Sequence, residues 1–113
     1  MKYLLFICGD DESYQAMLDD ETFLPACKDW SEEMERRGML LGTGGLQGPD
    51  DATTVRVRDG QVLLTDGPCA ETKEIIAGFS MIECADLDEA LEVTARHPVA
   101  RHGTIEIRPI LDQ

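Results

Sequence analysis

The chain has 113 residues, with 10 Lys and Arg against 23 Asp and Glu, and a formal net charge of −13. This is the length of one domain, with no room for a second and enough chain to bury one core without disulfide or metal staples. Hydrophobic residues make up 42%, which argues against disorder. The negative charge repels phosphate backbones and anionic membranes at long range, so neither nucleic acid nor a membrane surface is an expected partner.

The first apolar run, Tyr3-Leu4-Leu5-Phe6-Ile7-Cys8, is followed by Asp10, Asp11 and Glu12. A secretory core takes about 7–15 apolar residues with a basic flank. A transmembrane helix takes about 20. Neither is present, so a soluble cytoplasmic protein is expected, and the run reads as a central strand. The four cysteines, Cys8, Cys27, Cys69 and Cys84, contain no pair with the two-residue spacing of a metal knuckle or redox motif. Cys8 and Cys84 lie in apolar strand-like runs and read as small buried hydrophobes. Cys69 lies in a polar turn.

Residues 12–37 read as helical in part, with Ser13 as a candidate cap and Pro25 suited to the first turn of a second segment. Phe23, Cys27, Trp30 and Met34 share one face of that helix. Gly38 is a candidate C′ residue, and Met39 is placed to pack back on Met34 as a Schellman ending requires. Asp19-Asp20-Glu21 reads as a solvated acidic run. Met39-Leu40-Leu41 starts a second strand running into Gly42-Thr43-Gly44-Gly45, where the glycines suggest a bulge or a closely approached backbone.

Residues 53–58 and 61–65 flank Asp59-Gly60, a strong hairpin signal. A two-residue turn sets Val55 opposite Leu64, Val57 opposite Val62, Arg56 opposite Leu63 and Arg58 opposite Gln61. Residues 78–84 read as another strand. Asp86 then caps a helix, with Glu89 completing a box-like pair and Leu87, Ala90, Leu91, Thr94 and Ala95 as its buried stripe. His97-Pro98 ends it. Residues 104–110 alternate as a last strand, at an edge because of Pro109.

The order is β, α, β, an inserted hairpin, β, α, β. The expected fold class is α+β, a ferredoxin-like split βαβ with an inserted β-hairpin. Its antiparallel sheet carries helices on one face only. Apolar residues on both faces of strands 3–8 and 78–84 call for a cover on the other, and a second copy of the sheet makes a homodimer the expected state.

The most specific stretch is Asp66-Gly67-Pro68-Cys69-Ala70-Glu71-Thr72-Lys73-Glu74. With Thr53 to Gly60 before it, Gly78-Phe79 after it and the ending Ala100 to Pro109, it resembles the YCII-related superfamily, in particular the branch named for its Asp-Gly-Pro-Phe (DGPF) signature. The resemblance spans the chain as a single domain, residues 1–113. It implies a dimeric α+β barrel, and a branch often encoded near alternative sigma factors. Cys69 departs from the signature's Phe, leaving a changed pocket wall, with a structural or a reactive thiol both open. Characterised relatives use a His of the first helix with an Asp as an acid/base pair, and residues 12–37 contain no His, so that pair does not carry over.

The candidate catalytic residues are Asp66, Glu71 and Lys73. On an extended segment Glu71 and Lys73 share a face, so one can act as base while the other holds an anionic oxygen. The alternative is a plain turn, with Asp66 closing it and Glu71 and Lys73 in ion pairs. The candidate ligand-binding residues are Arg56, His97 and Arg101. Arg101 and His97 belong to a locally basic stretch that can instead complement a helix end or neighbouring acids. Histidines at 97 and 102 are too unspecific for a metal site, and Gly42 to Gly45 lacks the Lys-Ser/Thr and helix of a phosphate loop, so neither metal nor cofactor is expected. Ten of the 23 acids fall in residues 10–35, an outer coat from which Arg56, Lys73 and Arg101 stand apart. Two functions stay open. One is a small-molecule site near the Asp-Gly-Pro turn, for an anionic or aromatic ligand, with cofactor-free acid/base chemistry of lyase or isomerase type. The other is a non-catalytic accessory or ligand-sensing module beside a sigma-factor-related protein.

Overall fold

The apolar run near the start becomes β1 (Lys2–Gly9), a central strand in a computed structural model that describes residues 1–112. Helices α1 (Asp11–Asp19) and α2 (Phe23–Arg36) follow, then β2 (Leu40–Gly45), β3 (Thr53–Arg58), β4 (Gln61–Asp66), β5 (Ile75–Glu83), α3 (Leu87–Ala95) and β6 (Thr104–Pro109). Four strands pair antiparallel in the order β2-β5-β1-β6, while β3 and β4 form a separate two-stranded sheet. This is the α+β split βαβ arrangement with an inserted hairpin. Among the described residues no helix is long and apolar enough to cross a membrane.

Strand alternation sorts the sheet's faces. Tyr3, Leu5, Ser80, Ile82 and Cys84 are buried towards the helices, against Trp30, Met34, Ala90 and Val93. Leu4, Phe6, Phe79 and Met81 are half-buried on the outer face, where the Arg108 guanidinium lies 5.0 Å from the Phe6 ring centre. Burial raises the thiol pKa values of Cys8 and Cys84, in keeping with an apolar role for both.

The helix ends follow local chemistry. Asp10, not Ser13, is the N-cap of α1. Its carboxylate accepts the Ser13 N–H at 2.9 Å and the Asp10 N–H donates to Ser13 Oγ at 2.8 Å, so Ser13 supplies the other half of the box. At the end of α2, Gly38 takes φ +69°, its N–H bonds Glu35 O at 3.0 Å and the Met39 N–H bonds Met34 O at 2.9 Å. That is the Schellman pattern, with Met34 and Met39 both buried.

Two elements differ from expectation. The β5 strand begins at Ile75 rather than residue 78, because Cys8 and Gly9 extend β1 far enough to pair Ile76 and Ile75. The buried stripe of α3 is Ala90, Val93 and Thr94, while Leu87 and Leu91 are about half exposed. Ala90 and Val93 pack in the core with Trp30 and Met34, and the Trp30 indole N–H bonds Val93 O at 2.8 Å. Glu89 reaches back to the Ala85 N–H at 3.0 Å, one residue before the cap. A 3-10 turn, Pro98–Arg101, then leads to β6.

Candidate functional site

The hairpin has the predicted register. Asp59 and Gly60 take φ values of 52° and 76°, the two left-handed residues of a type I′ turn. At its other end Gly67 takes φ +99°, a conformation that favours glycine. The Gly67 N–H bonds Ala52 O at 2.8 Å and Thr54 Oγ1–H bonds Gly67 O at 2.7 Å. The Asp-Gly-Pro turn is therefore fastened to Ala52 and Thr54, at the start of β3, through both backbone groups of Gly67.

Beyond that turn the chain folds back towards β5 and encloses an open cavity of about 970 Å³. Leu46 to Ala52 form one wall and Asp66 to Thr72 another, with Ile75 and Ile76 between them. The size is that of a small-molecule site. Leu46, Pro49, Ala52, Pro68, Ile75 and Ile76 give it apolar surface, and the Cys69 thiol is free and exposed on its wall. Its charged lining consists of Asp50, Asp51, Asp66 and Glu71, and among the described residues no basic side chain lines it. Thr72 Oγ1 donates to Glu74 O, and Thr104 Oγ1 donates to Glu74 Oε1 at 3.0 Å, which ties the end of the signature to β6.

The six residues singled out by sequence do not converge. Asp66 and Glu71 line the cavity. Lys73 lies near Asp10 instead, whose carboxyl is held below its usual range by the Ser13 N–H and hydroxyl and more weakly by the Lys73 charge. Among the described residues no ion pair joins Glu71 to Lys73 or to Arg56. Arg56 is exposed on β3 opposite Leu63. His97 is buried: its Nδ1 accepts the Val99 N–H at 3.1 Å and its ring meets Trp30 edge-on at 4.6 Å. Burial pushes its pKa down to about 4. Arg101 borders a shallower hollow of about 520 Å³, together with Asp29, Glu33, Arg36 and Arg96.

One arrangement escaped the sequence reading. Asp20 is not a solvated acid. Its Oδ1 accepts the Thr22 N–H at 2.9 Å and the Thr22 hydroxyl at 2.6 Å, and its Oδ2 lies 2.9 Å from His102 Nε2. The Thr22 hydroxyl and His102 bonds hold the Asp20 carboxyl at about 2. An ionised Asp20 accepts from Nε2–H, which leaves His102 Nδ1 as the lone pair. The Phe23 ring sits edge-on at 6.2 Å. Two residues 82 positions apart carry no spacing signal. Among the described residues no group of three or more His, Cys, Asp or Glu comes together as metal ligands would.

Fold and site together define a small α+β domain whose ligand-sized cavity is built on its Asp-Gly-Pro turn. The YCII-related domain matches residues 1–113, and the chain belongs to that family. An uncharacterised protein of Rhizobium meliloti (strain 1021) is similar to it, 34% identical over 109 residues that cover 92% of this chain and 88% of the relative. A 5-chloro-2-hydroxyhydroquinone dehydrochlorinase from Burkholderia phenoliruptrix AC1100, solved in complex with 2,5-dihydroxybenzoquinone, has a similar structure. Its TM-score is 0.61 at 14% identity, covering 100% of this chain and 96% of that one. At that identity the likeness is one of fold.

Proposed function

We propose that this protein binds a small molecule with an apolar, aromatic body in the cavity of the Asp-Gly-Pro turn, and that it works as a homodimer. The observation that carries the reading is the composition of that cavity: apolar surface from Leu46, Ile75 and Ile76 beside the carboxylates of Asp66 and Glu71. With four acids and, among the described residues, no basic group in the lining, a neutral or cationic ligand is favoured over an anionic one. Asp66 and Glu71 are the groups that would accept a proton in cofactor-free chemistry. The 2,5-dihydroxybenzoquinone bound by the structurally similar dehydrochlorinase supports the size of the ligand. The apolar outer face of the sheet, with Leu4, Phe6, Phe79 and Met81, supports the dimer.

The test is a thermal-shift series with three ring compounds of equal size: hydroquinone, an aromatic amine and an aromatic carboxylate. The neutral or cationic compounds should raise Tm, the carboxylate should not, and Ile76→Trp should abolish the shift by filling the cavity. Absence of any shift, or a shift that survives Ile76→Trp, overturns the reading.

A further inference from the structure

We propose that the hollow between α2 and the turn after α3 is an anion site for a small phosphate monoester, with Arg36 and Arg101 holding the phosphoryl oxygens and the organic body lying on Ala26, Trp30, Ala95 and Pro98. The inference goes beyond the Asp-Gly-Pro cavity, which is a different place with the opposite charge preference. The hollow is about 520 Å³, the size of a small-molecule site. Three elements build its charged rim. Asp29, Glu33 and Arg36 come from α2, Arg96 from the end of α3, and Arg101 from the 3-10 turn. Three of the chain's ten basic residues thus meet at one hollow on a protein of net charge −13.

The acids beside these arginines leave two of them free. Glu33 takes the fork of Arg96: its Oε1 accepts from Nη1 at 3.1 Å and its Oε2 lies 3.0 Å from Nη2. Arg36 and Arg101 are exposed and, among the described residues, enter no ion pair. Asp29 completes the charged lining, which holds three guanidinium groups against two carboxylates among the described residues. Outside the lining stand Glu35 and Arg37 on α2, of opposite charge, and Glu92, one turn before Arg96 on α3. Lys28 and Glu32 pair with each other. Asp20, near enough to Arg101 to feel its charge, is already held by Thr22 and His102. Nor is Arg36 needed to finish its helix. Carbonyls of the last turn of α2 take the N–H groups of Arg37, Gly38 and Met39.

The donor set selects the ligand. A planar carboxylate is satisfied by one guanidinium fork, as Glu33 is by Arg96. A phosphoryl group has three acceptor oxygens and about −1.5 to −2 charge near pH 7, so it can use Arg36, Arg101 and the field of Arg96 together. The floor is apolar and low, because Ala26 and Ala95 are small and Trp30 and Pro98 are buried. An organic body on the phosphate has a surface to lie on there. The net charge of −13 opposes a dianion at long range. Salt at about 0.1 M screens that field beyond about 10 Å, so the guanidinium groups at the rim decide the contact.

Trp30 is the chain's single tryptophan and lines the hollow, so its fluorescence reports a ligand there. Phenyl phosphate titrated into the full chain at constant ionic strength, with excitation beyond the phenyl absorption, should change that fluorescence saturably. Titration calorimetry then gives the Kd and its dependence on the rim. Arg36→Gln and Arg101→Gln should each raise the Kd about tenfold, the scale of one lost charge-assisted hydrogen bond, with far-UV circular dichroism unchanged. Asp29→Asn should lower it. Inorganic phosphate should bind more weakly than phenyl phosphate, and Ile76→Trp, which fills the other cavity, should leave the Kd for phenyl phosphate as it is. No saturable change beyond that of matched sodium chloride overturns the site, as does a Kd indifferent to both arginine variants. A Kd raised by Ile76→Trp places the binding in the Asp-Gly-Pro cavity and also overturns it. Inorganic phosphate bound as tightly as phenyl phosphate overturns the seat for the organic body.

Discussion

His102 Nε2 lies 2.9 Å from Asp20 Oδ2 and so ties the turn before β6 to the end of α1. Asp20 does two jobs at once, because its other oxygen holds the Thr22 N–H and hydroxyl. Asp20→Ala should therefore lower the urea midpoint more than His102→Ala. Removing the acid orphans Thr22 as well as His102. Asp20→Asn should fall between the two, since the amide keeps an acceptor for Thr22 but loses the charge. The carboxyl's contribution is fully present above its ordinary value of 3.8 and is lost as pH falls through about 2, so the ranking should persist at pH 5. Equal midpoints for Asp20→Ala and His102→Ala would contradict this division.

The buried imidazole of His97 gives the fold a different pH sensitivity. Its pKa is pushed from 6.5 to about 4 by burial. A group depressed in the native state contributes stability above its unfolded pKa and loses it as pH falls through the folded one. The window is thus from about pH 6.5 down to about 4. Each pH unit there costs about 1.4 kcal/mol, on the order of 3 kcal/mol in all. His97→Asn, which keeps a short acceptor for the Val99 N–H, should be less stable at pH 8 but should flatten the slope between pH 6.5 and 4. Urea unfolding at five pH values measures both, and an unchanged slope would assign the sensitivity to another group.

Much of this frame was legible in the chain where the signal is local. Asp59-Gly60 sets the hairpin register because a two-residue turn allows one pairing. Met34, Gly38 and Met39 specify the end of α2 because a Schellman ending needs a left-handed residue between two apolar ones. Face assignment in α3 failed because, in a nine-residue helix, periodicity does not decide between adjacent stripes. Val93 and not Leu91 faces inward because its side chain packs in the cluster with Trp30 and Met34, about 60 residues away in sequence. The site was legible only in part for the same reason. Gly67 turns the chain so that Asp66 and Glu71 share a cavity, which a signature can suggest. Charge type does not say where Arg56, Lys73 and Arg101 point, and the Asp20–His102 pair exists only once the helices are docked.

Trp30 should be the most sensitive aromatic position. Its ring is buried and its Nε1–H bonds Val93 O at 2.8 Å. That carbonyl lies in the last turn of α3, and the N–H four residues on, at His97, goes to Thr94 O at 3.0 Å instead. Trp30→Phe keeps an aromatic ring but leaves the carbonyl without its donor, at a cost of about 1–3 kcal/mol. Trp30→Ala adds a cavity and should cost about 3–5 kcal/mol. Denaturant titration followed by circular dichroism distinguishes the two. A loss below 0.5 kcal/mol for Trp30→Phe, on the ordinary surface-substitution scale, would mean water replaces the indole.

Three glycines separate backbone crowding from side-chain crowding in the same sheet. A Cβ at Gly78 would sit 2.9 Å from Gly44 O, a backbone atom that cannot move without disturbing the β2–β5 pairing. A Cβ at Gly44 would meet the Phe79 ring at 3.0 Å, which a small rotation of that ring relieves. A Cβ at Gly45 would meet nothing within 4 Å. Gly78→Ala should therefore cost about 1–3 kcal/mol, the range for overpacking. Gly44→Ala should cost less. Gly45→Ala should be neutral or stabilising by up to about 1 kcal/mol, because alanine restricts the unfolded chain. Thermal unfolding of the three variants tests the order. If Gly45→Ala proved the most damaging, crowding at the β2–β5 edge would not be what requires glycine there.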